Sequence, residues 1–136
     1  MNTTWAYVSN NFVYSAMALF TLSFLSHAFE TAFAVRAPQN ADSTDGNLLT
    51  KTLDYKRTEK AARLATAFMA LGTLLLLTGI ISRGISAGHA PWGNMYEFSI
   101  TGALAFSAAY LVALRSYDLR WLGLFISFSV LLTLGT

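Results

Sequence analysis

Two ionisable residues stand inside the first apolar stretch of this sequence, where a charged group is costly. His27 and Glu30 are three residues apart, a spacing that places both on one face of a helix. Ionisable side chains within a membrane span face protein or water rather than lipid. His27 is therefore a candidate cofactor ligand or proton site with Glu30 beside it. The alternatives are an interhelical hydrogen bond for His27 and, for Glu30, a position near the membrane surface within reach of Arg36.

A second group of chemically useful residues lies in the segment SAGHAPWGNMYEF, at positions 86–98. Its glycines and proline are helix breakers. Asn94 is a good N-cap, and Glu97 three residues later can complete a capping-box pair. These residues predict a turn that starts a new helix. The alternative is that His89, Trp92 and Glu97 face a shared site, since a histidine in such a turn can bind iron or carry a proton.

The elements that must position these residues are membrane helices. The chain is 54% hydrophobic and 12% charged, and its apolar residues fall into long blocks. A span needs about 20 apolar residues. Three blocks qualify and a fourth is still apolar at Thr136, at positions 12–35, 61–82, 96–114 and 121–136. We predict an all-α polytopic transmembrane bundle with three full spans and an incomplete fourth, and expect the natural protein to continue past Thr136.

Basic residues predict the orientation, because Lys and Arg concentrate in cytoplasmic loops. Six of the nine lie between Arg36 and Arg63, two lie in the turn before the fourth block, and none precedes Arg36. The N-terminus is therefore expected outside. The segments 1–11 and 83–95 are predicted to be external, and 36–60 and 115–120 cytoplasmic. Polar composition at 37–52 indicates a flexible linker, with a helical pattern from about Asp54.

Polar and small residues recur along the third span and predict packing against other helices. They are Ser99, Thr101, Gly102, Ser107 and Tyr110. Other chemistries have no sequence signal: there is no cysteine, phosphate loop, HExxH motif or nucleophile elbow. A net charge of +2, with the basic residues placed for topology, does not indicate nucleic-acid binding. No catalytic residue and no metal ligand is assigned.

The turn segment resembles a known family. SAGHAPWGNMYEF is similar to the early Gly-His-x-Pro…Asn-x-Tyr-Glu stretch of the CcsA/ResC family, called CcsB in actinobacteria, whose members handle haem in system II cytochrome c biogenesis. The resemblance covers about residues 61–136. The residues that match the family stretch are Gly88, His89, Pro91, Asn94, Tyr96 and Glu97.

The resemblance implies a multi-pass protein of the bacterial plasma membrane that works with a ResB-type partner. Haem would be delivered outside the cytoplasm for covalent attachment to the CxxCH motif of an apocytochrome c. The family's tryptophan-rich "WWD" segment and its flanking histidines are absent from these 136 residues, so they are not expected to act as a haem-attachment enzyme alone. The resemblance places His89, Trp92 and Glu97 in the vicinity of haem, with His27 as a weaker candidate.

Two other functions compete with haem delivery. The chain can be a small structural subunit of a respiratory complex or a fragment of a transporter. A structural subunit predicts a complete, well-terminated last span. A transporter predicts paired charges or broken helices within the spans. Neither pattern is present in the sequence.

Overall fold

The computed structural model describes residues 3–36, 47–88, 90 and 92–135, and in these residues it contains helices and no strands. The four α-helices are α1 (Thr3–Arg36), α2 (Asn47–Ala87), α3 (Met95–Ser116) and α4 (Gly123–Gly135), with a short 3-10 turn at Arg120–Leu122. Helices α1, α2 and α3 are long and apolar enough to cross a membrane. The prediction of an all-α multi-pass membrane protein with three long spans is confirmed.

The helices extend beyond the apolar blocks. Helix α1 begins at Thr3, so most of the segment predicted as an external N-terminus is helical. Helix α2 begins at Asn47, before the expected Asp54. A search for about 20 consecutive apolar residues detects only the part of a helix that lies in lipid. The backbone hydrogen bonds of the helix continue beyond that part into polar residues. The remainder of the predicted linker, residues 37–46, lies outside the described residues.

Helices α1 and α2 form the most extensive helix pair of the bundle. They run antiparallel and are joined by two buried hydroxyl groups that donate to backbone carbonyls. Ser9 Oγ lies 2.8 Å from the Gly79 oxygen, and Ser23 Oγ lies 2.9 Å from the Ala65 oxygen. Between them the Phe20 ring packs on Gly72, where a Cβ would meet it at 3.3 Å. Small residues and serines at the contact allow this close approach, as is common in membrane helix pairs.

The other two helices complete a ring in which α3 contacts α2 and α4, and α4 contacts α1. The shared core contains aliphatic and aromatic side chains from all four helices, among them Val13, Phe20, Met69, Leu76, Ile100, Tyr110, Val130 and Leu134. Outside this core, many large apolar side chains of α1 and α2 are exposed, as lipid-facing residues are. They include Leu25, Phe29, Leu64, Leu71, Leu74 and Leu77.

Candidate functional site

The turn between α2 and α3 is closed by backbone hydrogen bonds. Gly88 follows the last residue of α2 with a φ of 71°, a left-handed conformation that glycine adopts without steric cost. Its N–H donates to the Gly84 oxygen at 3.0 Å. The Trp92 N–H donates to the Ala90 oxygen at 2.8 Å. His89 and Pro91 lie outside the described residues.

Asn94 caps α3 as the sequence predicts. Its Oδ1 accepts a hydrogen bond from the Glu97 N–H at 2.8 Å. The reciprocal contact differs from a capping box, because Glu97 Oε2 accepts from the Gly93 N–H, at 2.8 Å, rather than from that of Asn94. Glu97 therefore binds a backbone donor of the turn itself, one residue before the cap.

The other oxygen of Glu97 reaches the preceding helix. Glu97 Oε1 lies 3.1 Å from Arg83 Nε, and the Glu97 side chain is only 5% exposed. A buried carboxylate is costly unless its oxygens are paired. Here both are occupied, one by the guanidinium and one by the Gly93 N–H. One acidic side chain thereby holds together the end of α2, the turn and the start of α3.

Aromatic side chains flank this ion pair. The Arg83 guanidinium lies 4.9 Å from the centre of the Tyr96 ring, within cation–π range. Trp92, by contrast, is 69% exposed. Of the three residues predicted to share a site, Glu97 is therefore inside the turn and Trp92 faces outward. The turn presents an aromatic ring to its surroundings and keeps its acid internal.

A second polar cluster lies deep in the bundle around His27, which is 1% exposed. His27 Nδ1 lies 3.3 Å from Glu30 Oε2, so the predicted shared face of α1 is confirmed. Its other ring nitrogen, Nε2, has no hydrogen-bond partner among the described residues, and neither has the buried hydroxyl of Tyr110 on α3. Both atoms approach Gly123 of α4: a Cβ there would lie 2.5 Å from the Tyr110 hydroxyl and 2.6 Å from His27 Nε2.

The contact with Glu30 favours one arrangement of the imidazole. When Nδ1 carries the hydrogen and donates it to the Glu30 carboxylate as a hydrogen bond, the neutral ring has its lone pair on Nε2. The Tyr110 hydroxyl is the complementary donor on the facing helix. Glu30 and His27 thus form a carboxylate–imidazole pair, and the Tyr110 hydroxyl lies near its free nitrogen without a hydrogen bond to it. The expected interhelical hydrogen bond of His27 is not made among the described residues, and the Arg36 side chain expected near Glu30 lies outside them.

The surroundings of Nε2 do not suit haem ligation. The approach to this nitrogen is filled by the backbone of Gly123 and by Tyr110, which is 4% exposed. A flat macrocycle has no room there. The sequence marks Tyr110 only as one of several polar packing residues and gives no signal for Gly123, because the contact runs diagonally across the bundle and depends on helix packing.

The two clusters are far apart. Glu97 and Tyr110 are both on α3 and differ by thirteen positions, which is about 20 Å along a helix. His27 therefore does not join the turn residues in one site. The described residues contain no group of three or more His, Asp or Glu side chains that could hold a metal ion. No protein-family model, no curated protein and no solved structure matches this chain.

Proposed function

We propose that this chain is part of the membrane apparatus that delivers haem for covalent attachment to c-type cytochromes outside the cytoplasm. The turn between α2 and α3 carries the segment that resembles the CcsA/ResC family. The observation that supports the proposal best is the buried Glu97. Its two oxygens bind the Gly93 N–H and Arg83 and so stabilise the conformation of that turn. This ion pair keeps the backbone of the α2–α3 turn in one conformation. A fixed conformation would let the exposed face of the turn bind haem or a partner protein specifically.

Haem is the cargo in this proposal and supplies the group that becomes bonded to the apocytochrome. It is flat and apolar with two anionic propionates. Trp92 and Tyr96 offer aromatic surface for its apolar faces, being 69% and 37% exposed. Arg83 is already paired with Glu97, so it is only a partial counter-charge for a propionate.

The proposal also implies which proteins and which membrane surround the chain. A ResB-type membrane partner and the apocytochrome would act on the side where the turn lies, which the basic residues predict to be extracytoplasmic. The membrane would be the plasma membrane of a bacterium. The buried His27 and Tyr110 and the partly buried Glu30 lie near the other end of the bundle and are assigned no contact with the cargo.

Deleting the gene in the natural host and staining for covalently bound haem tests the proposal. We expect c-type cytochromes to lose covalent haem while cytochromes with non-covalent haem remain. Restoration by the full-length gene is the control. Normal covalent haem in the deletion strain would overturn the proposal.

One structural observation favours a second candidate, a structural subunit of a membrane complex. A groove of 310 Å³ lies between α3 and α4, with the small residues Gly102, Ala103 and Ser129 in its lining beside Phe98 and Phe106. Small residues let another helix approach closely. If this function holds, the deletion should reduce the amount of one assembled respiratory complex and leave covalent haem attachment unchanged.

A further inference from the structure

We propose that a groove at the Arg115 end of the bundle binds an anionic phospholipid, with its phosphate among three arginines and one acyl chain along α2. This basic groove has a volume of 620 Å³ and lies between α2 and the turn that joins α3 to α4. Its lining includes the basic residues Arg63, Arg115 and Arg120, the acidic Asp118, and Thr66, Ala67 and Ala70 of α2. The inference is independent of haem delivery.

One of the three arginines of the basic groove is available to bind an anion without breaking an ion pair. Arg63 is paired with Glu59 at 2.6 Å, and Arg120 with Asp118 at 3.5 Å. Arg115 has no ion pair in the part of the chain that the structure describes. Both existing pairs are solvent-exposed and therefore weak, so they yield readily to a better anion. A phosphate group accepts paired hydrogen bonds from guanidinium groups, which makes arginine well suited to it.

The shape of the basic groove changes from polar to apolar along α2. Arg63 stands at one end, and Ala67 and Ala70 lie about one and two turns further along the helix. Alanines leave space that larger side chains would fill. A free phosphate would use only the polar end, whereas a phospholipid uses both. The gradient therefore favours the lipid.

The position in the fold agrees with this ligand. Helix α3 ends at Ser116 and α4 begins at Gly123, so the turn between them lies where helices leave the hydrocarbon and meet the headgroups. Basic pockets between membrane helices at this depth attract anionic lipid headgroups. Arg63 on α2 is brought to the same level by the packing of α2 against α3.

Native mass spectrometry of the full 136-residue chain in detergent, with equal amounts of phosphatidylglycerol and phosphatidylcholine, tests the proposal. We expect the chain to retain phosphatidylglycerol preferentially. Arg115→Gln should lower that retention about fivefold, the effect of one arginine near a membrane surface. Arg57→Gln is the matched control: it removes the same charge from an exposed arginine of α2 outside the groove, and retention should not change.

Two further arms separate a phospholipid site from a phosphate site and from general surface charge. Ala67→Leu fills the apolar end at an exposed position and should lower phosphatidylglycerol retention without removing charge. Excess inorganic phosphate should displace little of the lipid. Complete displacement by phosphate, an unchanged Ala67→Leu variant, or equal losses in Arg115→Gln and Arg57→Gln would each overturn the proposal. Should Arg115→Gln not fold, Arg115→Lys keeps the charge, loses the paired donors and should give intermediate retention.

Discussion

His27 Nε2 and the Tyr110 hydroxyl converge on Gly123 from two different helices, and both are buried without a hydrogen-bond partner in the described residues. Buried polar atoms are nearly always satisfied in folded proteins. This pair is complementary, because the hydroxyl donates and the imidazole nitrogen accepts. We therefore expect a small side-chain rotation or one bridging water to join the two atoms, which would link α1 to α3.

If His27 and Tyr110 are joined directly or through one water, Tyr110→Phe should lower the free energy of unfolding by about 1 kcal/mol, the usual net contribution of one hydrogen bond. Thermal unfolding in detergent measures the change. Tyr117→Phe is the control, since Tyr117 is 69% exposed. A double-mutant cycle with His27→Leu should show coupling of similar size. Additive effects of the two substitutions would mean that the side chains do not interact.

Gly123→Ala should be disruptive, because the added Cβ would lie 2.5 Å from two side-chain atoms. We expect a loss of about 1–3 kcal/mol from overpacking. Gly102→Ala is the matched control on a membrane helix, because a Cβ there would meet nothing within 4 Å. Melting temperatures of the two variants make the comparison. Equal stability of both variants would contradict the close approach of α4 to His27.

The Arg83–Glu97 pair should respond asymmetrically to substitution. Arg83 is 24% exposed at its side chain and Glu97 is 5% exposed. Glu97→Gln keeps an oxygen for the Gly93 N–H and leaves an arginine that can reach water. Arg83→Gln leaves a buried carboxylate with one partner fewer and should cost about 3 kcal/mol. Unfolding in detergent measures both variants. A larger loss for Glu97→Gln would contradict the burial of its carboxylate.

Trp92→Ala should reduce covalent haem in c-type cytochromes if the turn contributes a surface for haem. Because Trp92 is 69% exposed, its removal should leave the membrane level of the full-length variant unchanged. Trp121→Ala is the matched control at the other end of the bundle, where Trp121 is 66% exposed. Haem staining is normalised to the amount of variant. Equal staining for both variants would leave Trp92 without this role.

The orientation is testable because the chain has no cysteine. Single cysteines at Ser43 and at the exposed Ala90 can therefore be labelled without background. An impermeant thiol reagent added to intact cells should reach position 90 and spare position 43, since basic residues concentrate on the cytoplasmic side. Labelling in the reverse pattern would invert the orientation. Labelling after lysis is the control for reactivity.

Local features were predicted well from the sequence. The spans follow from block hydrophobicity, and Asn94 as a cap follows from a polar residue after a Pro-Gly turn. Arg83 and Glu97 flank one short turn in the sequence, which allows their ion pair without specifying it. The hydrogen bond from the Gly93 N–H to Glu97 was not predicted. Whether Glu97 binds the N–H of Gly93 or that of Asn94 depends on the backbone conformation of the turn, which the sequence does not specify.

Contacts between distant segments were not predicted. His27, Tyr110 and Gly123 stand on three helices, and their meeting depends on how each helix is rotated. No residue pattern within one helix specifies that rotation. The helical residues Thr3–Asn11 and Asn47–Thr52 were missed for another reason, since polar composition does not distinguish an extended helix end from a loop.

The two serine bonds between α1 and α2 have a mechanical consequence. Ser9 and Ser23 are fourteen positions apart, about 21 Å along α1, so α1 can neither slide nor roll on α2 without breaking a buried hydrogen bond. The Arg83–Glu97 pair pins α3 to α2 at one end only. The far end of α3 is held differently, by side-chain packing around the point where Gly123 of α4 approaches His27 and Tyr110.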